Sequence, residues 1–253
     1  MAEEPKTNPS SRSNADEASA TRAWAERWLS RKRLAPYLAA CGDDVERALD
    51  LYEWNISLGQ VLMRDVAHFE VALRNAYDRV MGERWGGAHW LLDDGSPVLR
   101  PIVRMSKNGN PRDVNLVNRR AVAQARSNAH DKDDPDQVIA NLMLGFWAHL
   151  TDRSRERDLW IPYLNAAWPK GTDRNGLNNT LAAINRVRNR AAHNERLFDP
   201  LTETLSPARA DANIIRALRA LCPEAAERLY GDEEKTPVEL FCEERPAPAD
   251  VRL

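Results

Sequence analysis

One run constrains this chain more than any other. From Val45 to Val80 apolar residues recur at helical spacing: Val45, Leu49, Tyr52, Ile56, Leu62, Val66, Phe69, Leu73, Tyr77 and Val80. Asp43 or Asp44 stands in front of it as a helix-capping residue. A single helix over 44–84 would be about 60 Å long at about 1.5 Å per residue, longer than a compact domain of this size. The pattern therefore predicts a bend or break near Asn55 to Gly59, where a poor helix former and a glycine coincide.

The remaining signals are helical too, and the predicted class is all-α. Asp113 is placed to cap a helix reaching about Arg126, and Asp134 with Pro135 opens another. The stretch Asp136 to Leu150 is apolar almost all round, which predicts one central buried helix. Ser154 to Ala167 reads as a helix kinked by Pro162. A further helix starts near Asp173 or Asn175 and runs to about Phe198. Ser206-Pro207 and Pro223 open two more. Val98 to Val103 is interrupted by Pro101 and reads as a loop, as does Asn108-Gly109-Asn110-Pro111. Composition divides the chain into a disordered tail over 1–20, one helical domain over 21–230, and an acidic, Pro-rich, extended tail over 231–253. Trp24, Trp28, Trp54, Trp147, Trp160 and Trp168 sit at helical positions and read as core, as do His68 and His149 in their apolar surroundings.

Composition also limits function. There is no apolar run of 18 residues, hence no expected membrane span. Three scattered cysteines, Cys41, Cys222 and Cys242, show neither a disulfide framework nor metal-ligand spacing, and they suit a reducing cytoplasm. The five histidines show no metal-site spacing, and no glycine-rich phosphate loop is present, so neither a metal nor a cofactor is expected. Net charge is −2, but it is unevenly spread. From Arg100 to His130 seven basic residues face Asp113 alone; from Ile184 to Arg196 four arginines face Glu195. From Gly231 to Arg245 six acids face two bases. Two basic patches on a slightly acidic chain fit a polyanion-binding face.

The chemistry concentrates in Arg188, Asn189, Arg190, Ala191, Ala192 and His193, an R-N-x-x-x-H run. Arginine grips a phosphate through two parallel charge-assisted hydrogen bonds. Histidine takes and returns a proton near neutral pH. Asn189 can orient either partner. On one straight helix Arg188 and His193 are about 140° apart, whereas Asn189 and His193 share a face. Either the helix ends near Ala192, so that His193 turns inward, or two copies face each other and pool their residues.

The run VRNRAAHNERLF (Val187 to Phe198) resembles the signature of the Abi-like (abortive infection) family, a branch of the HEPN superfamily. LYEWNISLGQVLMRDVAHFEVALRNA (Leu51 to Ala76) and VIANLMLGFWAHL (Val138 to Leu150) resemble family segments in the same order. The resemblance covers roughly residues 43 to 200. It implies an HEPN-like helical bundle with additional helices and, by analogy across the superfamily, a metal-independent ribonuclease used in phage defence or as a toxin. It favours a homodimer with paired motifs at a two-fold axis.

On that reading Arg188, Asn189 and His193 are catalytic. Arg186, Arg190, Arg196, Arg104, Lys107, Arg112 and Arg119 hold the RNA backbone. Glu70 and Arg74 are four apart and read first as a salt bridge within their helix; alternatively, with Asn75 and Glu195, they support the site from behind. An antitoxin or defence partner protein is a further expectation. Two other readings remain: an RNA- or nucleotide-binding scaffold that does not cut, and a purely structural helical interaction protein.

Overall fold

A computed structural model describes residues 9–253 apart from Lys107, with side chains from residue 16 onward. It is all-α apart from one two-stranded hairpin. Ten helices are labelled here: α1 (Pro9–Leu29), α2 (Arg31–Ala40), α3 (Val45–Arg84), α4 (Leu116–Asn128), α5 (Pro135–Ala140), α6 (Leu144–His149), α7 (Arg174–Ala192), α8 (Pro207–Leu221), α9 (Pro223–Tyr230) and α10 (Pro237–Glu244). Strands β1 (Val103–Met105) and β2 (Pro111–Asp113) pair antiparallel, Arg104 opposite Arg112.

The organising element is α3. Its 40 residues run without the expected break, and it packs against α1, α2, α6, α7, α8 and α10. Asp44 caps its first turn by accepting from the amides of Glu46 and Arg47. The two residues that predicted a bend serve a neighbour instead. Asn55 is buried and spends its side chain on the chain that follows α7. Gly59 brings the α3 backbone close to Ala191 and Leu197, since a Cβ there would lie 3.6 Å from Leu197 Cδ1. Tertiary packing overrides the local propensity of both.

The predicted central helix over 136–150 is two short helices. α5 stops at Asn141, and α6 begins at Leu144 after Met143, so Leu144 N–H is released from helical bonding. Leu144, Phe146, Trp147 and Leu142 are buried, as a core segment requires. The expected helix over 154–167 is a series of short turns: Arg153–Arg155, the wide turn Glu156–Trp160, and Leu164–Ala167. Pro162 follows the wide turn and has no N–H to continue a helical ladder. The Val98–Val103 loop ends in β1, and the Asn-Gly dipeptide lies in the hairpin connection, with Gly109 at φ +76°.

Helix also extends into both stretches that composition marks as tails. Residues 1–8 lie outside the described residues, but from Pro9 the chain is helical. Beyond Gly231, Thr236, Pro237 and Glu239 build a capping box for α10. The rest of that segment is strapped down rather than loose. Trp54 Nε1 donates to Arg245 O at 2.8 Å, Arg47 to Pro248 O at 2.8 Å, and Asp199 N to Arg252 O at 2.8 Å.

Trp54, Trp147, Trp160 and Trp168 are buried. Trp24 and Trp28, expected in the core, are exposed and stack on each other at 6.0 Å, because α1 turns Ala25 and Leu29 inward instead. His68 is likewise exposed: its neighbour Phe69 takes the buried face of α3.

Candidate functional site

Helix α7 carries the R-N-x-x-x-H run. Asp173 caps its start by accepting from the amides of Asn175 and Gly176. Leu181, Ile184, Val187 and Ala191 bury one face. The helix ends at Ala192, earlier than its apolar pattern predicts, and Asn194 is the reason. It adopts φ +52°, its N–H bonds Ala191 O at 3.0 Å, and Glu195 N–H bonds Arg190 O at 2.8 Å. Those two bonds form a Schellman motif with asparagine at the left-handed position. His193 becomes the C-cap residue, and its side chain is exposed rather than turned inward. Among the described residues no hydrogen bond or ion pair joins it to Arg188.

Arg188 is held from two sides. One terminal nitrogen donates to Asn189 Oδ1 at 3.1 Å. The other lies 4.0 Å from the Glu70 carboxylate of α3. The guanidinium is mostly buried, and its Nε has no hydrogen-bond partner among the described residues. Glu70 thus reaches across to α7 instead of closing the expected salt bridge with Arg74 on its own helix. Burial raises the Glu70 carboxyl above the usual carboxylate range, opposed in turn by Arg188, the Leu144 amide and Arg74. That amide is the one freed by the break between α5 and α6.

Two further polar atoms on the same helices, Arg74 Nε and Asn185 Oδ1, are buried without a partner among the described residues. Asn185 packs against Gly145, where a Cβ would lie 3.4 Å from Asn185 Nδ2. Arg188 Nε, Arg74 Nε and Asn185 Oδ1 are thus three buried polar atoms on α3 and α7 with hydrogen-bonding capacity to spare. Asn185 and the start of α6 were missed by sequence reasoning. Asn185 precedes Arg188 by three residues and so shares its helix face, which was the available signal. Asn75 is exposed one residue beyond Arg74.

The other arginines of the motif divide. Arg186 is exposed. Arg190 is half-buried and consumed by the turn: it donates to Arg196 O, reaches Leu205 O at 3.5 Å, and lies 3.6 Å from the Glu195 carboxylate. Glu195 is therefore joined to Arg190, not to Arg188. Arg196 lies over the Phe198 ring at 5.4 Å.

The basic stretch from Arg100 to Arg126 is largely answered by carboxylates, two of them near in sequence and one, Asp158, distant. Arg100 and Arg104 both bond Asp158, Arg126 bonds Asp133, and Arg119 bonds Asp113 and Leu99 O. Arg112 is exposed on β2, and Lys107 lies outside the described residues. No helix of the described residues is long and apolar enough to cross a membrane.

The Abi-like protein family matches residues 32–199, which includes α3, α6, α7 and every residue of the Glu70–Arg188–His193 constellation. The chain belongs to the Abi-like family. No curated protein and no solved structure matches it. Membership in the Abi-like family points to abortive infection, the defence of a cell population against phage.

Proposed function

We propose that this Abi-like protein is a metal-independent endoribonuclease of the HEPN type, acting in the cytoplasm as an abortive-infection effector. The observation that carries this reading is the fixed Arg188 guanidinium, oriented by Asn189 and Glu70. An exposed histidine stands five residues on, at the helix end.

The chemistry is transesterification within the RNA. A neutral His193 imidazole nitrogen accepts the proton of a ribose 2′-hydroxyl. The 2′-oxygen forms a bond to the adjacent phosphorus, and the bond from phosphorus to the 5′-oxygen breaks. The 5′-oxygen takes a proton from the partner's His193, leaving a 2′,3′-cyclic phosphate and a 5′-hydroxyl. Arg188 meets the negative charge that grows on the phosphoryl oxygens. The second histidine comes from a symmetric homodimer, since Arg188 and His193 of one chain make no contact. Arg186, Arg196 and Arg112, exposed or half-buried, are the backbone-binding groups, and an antitoxin or defence partner holds the activity in check.

The test is RNA cleavage in the presence of EDTA. His193→Ala and Arg188→Ala should each lose about a hundredfold or more, and Arg188→Lys should fail too, because it lacks the planar fork. Cleavage that persists in His193→Ala, or that stops on adding EDTA, overturns the mechanism. The alternative, RNA binding without cutting, draws on the Glu70 ion pair already occupying Arg188. It gains if affinity survives where cleavage was never present.

A further inference from the structure

We infer that the hollow between the β1–β2 hairpin and the turn after α6 is a binding site for a phosphate monoester, separate from the α7 motif. The hollow measures about 710 Å³ and is walled by Arg104, Arg112, His149, Asp152, Arg153 and Arg155. That volume admits a whole nucleotide.

Charge selects the ligand. Four arginines face Asp152, and Arg104 is already bonded to Asp158 from outside the hollow. Asp158 is shared with Arg100, so at least two positive charges are left over, which suits a phosphate monoester carrying about −1.5 to −2 at neutral pH. A diester carries one charge and leaves the site unbalanced.

Arg155 makes the site built rather than incidental. It is fully buried and bonds no carboxylate among the described residues. It donates to Val114 O and to His149 O, the latter at 3.3 Å, tying the hairpin to the end of α6. Its Nε is buried without a partner among the described residues. Burial, then Arg112, pulls its pKa down to about 10, opposed by Asp152 and Asp113. A buried cation without a counter-ion is costly, and an anion in the hollow offsets that cost. Arg112 and Arg153 are exposed at the rim, free to close on an entering phosphate.

His149 adds the hydrogen bond. Burial, with repulsion from Arg155 and Arg112, pushes its pKa down to about 4 against the opposing pull of Asp152. A neutral imidazole donates one N–H without adding charge. A bound dianion favours the protonated form, so the pKa should rise on binding. The exposed Met105 side chain, also on the wall, offers an apolar surface for a base.

Titration calorimetry on the full chain in phosphate-free buffer tests this with AMP, inorganic phosphate, adenosine and the diester ApA. AMP should bind at least about tenfold more tightly than ApA, and adenosine should not bind. Arg112→Ala and Arg153→Ala should each weaken AMP about tenfold, the scale of one hydrogen bond to a charged group. Both residues are exposed, so circular dichroism should stay unchanged. NMR should show the His149 pKa rising when AMP is added. A 5′-phosphorylated RNA hexamer run beside AMP separates a chain end from a free nucleotide as the source. Equal affinity for AMP and ApA, or unchanged affinity in both arginine variants, overturns the proposal. His193→Ala should keep full AMP affinity; its loss would place AMP at the motif and overturn the separate site. Failure of RNA cleavage alone leaves these readings untouched.

Discussion

Asn55, in the middle of α3, grips the chain just beyond the motif turn: its Oδ1 accepts from Leu197 N at 2.7 Å, and its Nδ2 donates to Glu195 O at 3.1 Å. This pair of bonds replaces a strand partner for a segment that has left its helix. Asn55→Ala leaves a buried amide and a carbonyl unpaired and should destabilise by about 2–4 kcal/mol. Gly59→Ala, one turn later, should do the opposite. Its new Cβ meets Leu197 and Ala191 at ordinary contact distance, and alanine favours a helix interior by about 1 kcal/mol. Urea unfolding of both variants checks the contrast; loss of stability in Gly59→Ala would show the approach to be tighter than described.

In the proposed mechanism Glu70 positions Arg188, 4.0 Å away. Glu70→Ala removes the counter-charge of Arg188 and the acceptor for Leu144 N–H. Cleavage kcat should fall by about tenfold to a hundredfold with little change in KM, the signature of a misplaced group rather than a lost binding contact. Glu70→Gln keeps the amide acceptor and should retain the fold while still losing kcat. Wild-type kcat in both variants would exclude the role.

Arg112 and Arg119 were grouped by sequence but should behave differently. Arg119 bonds Asp113 and Leu99 O, so Arg119→Ala should lower stability by about 1–3 kcal/mol. Arg112→Ala should leave stability within about 0.5 kcal/mol and reduce the salt slope of RNA binding by about one. Thermal melts together with binding at several salt concentrations separate the two.

A buried pair of carboxyls sets a pH dependence far from the motif. Tyr230 donates to Asp65 at 2.8 Å, Val238 N donates to Asp211 at 3.0 Å, and both acids are fully buried. Burial, reinforced by Asp65, raises Asp211 to about 7 against the Val238 amide. The unfolded value is about 3.9, so the folded state binds the proton more tightly. The stabilisation is complete below about pH 4 and is lost as pH rises through about 7, on the order of a few kcal/mol. Asp211→Asn keeps an acceptor for Val238 and a donor for Asp65, and should flatten this slope. Denaturant unfolding at pH 5 and pH 8 decides it; an unchanged slope in the variant assigns the effect elsewhere.

Local chemistry determined a good deal from sequence alone. Asp44, Asp134, Asp173, Ser206 and the prolines that follow two of them start helices where composition placed them, because a capping side chain acts on amides two or three residues away. The apolar period of α3, the all-α class and the family segments are local signals as well. Other features depended on partners remote in sequence. Asn55 and Gly59 read as a break, yet they are the docking point for Glu195 and Leu197, some 140 residues on. Glu70 read first as the helical neighbour of Arg74, yet its counter-charge is Arg188 and its amide donor is Leu144. The basic stretch read as an open patch until Asp158 folded back onto Arg100 and Arg104. Periodicity and capping are properties of a few adjacent residues, so the sequence states them. Which helix meets which, and so which charge is answered and which is left free, depends on chain closure, and only the packed tertiary structure decides it.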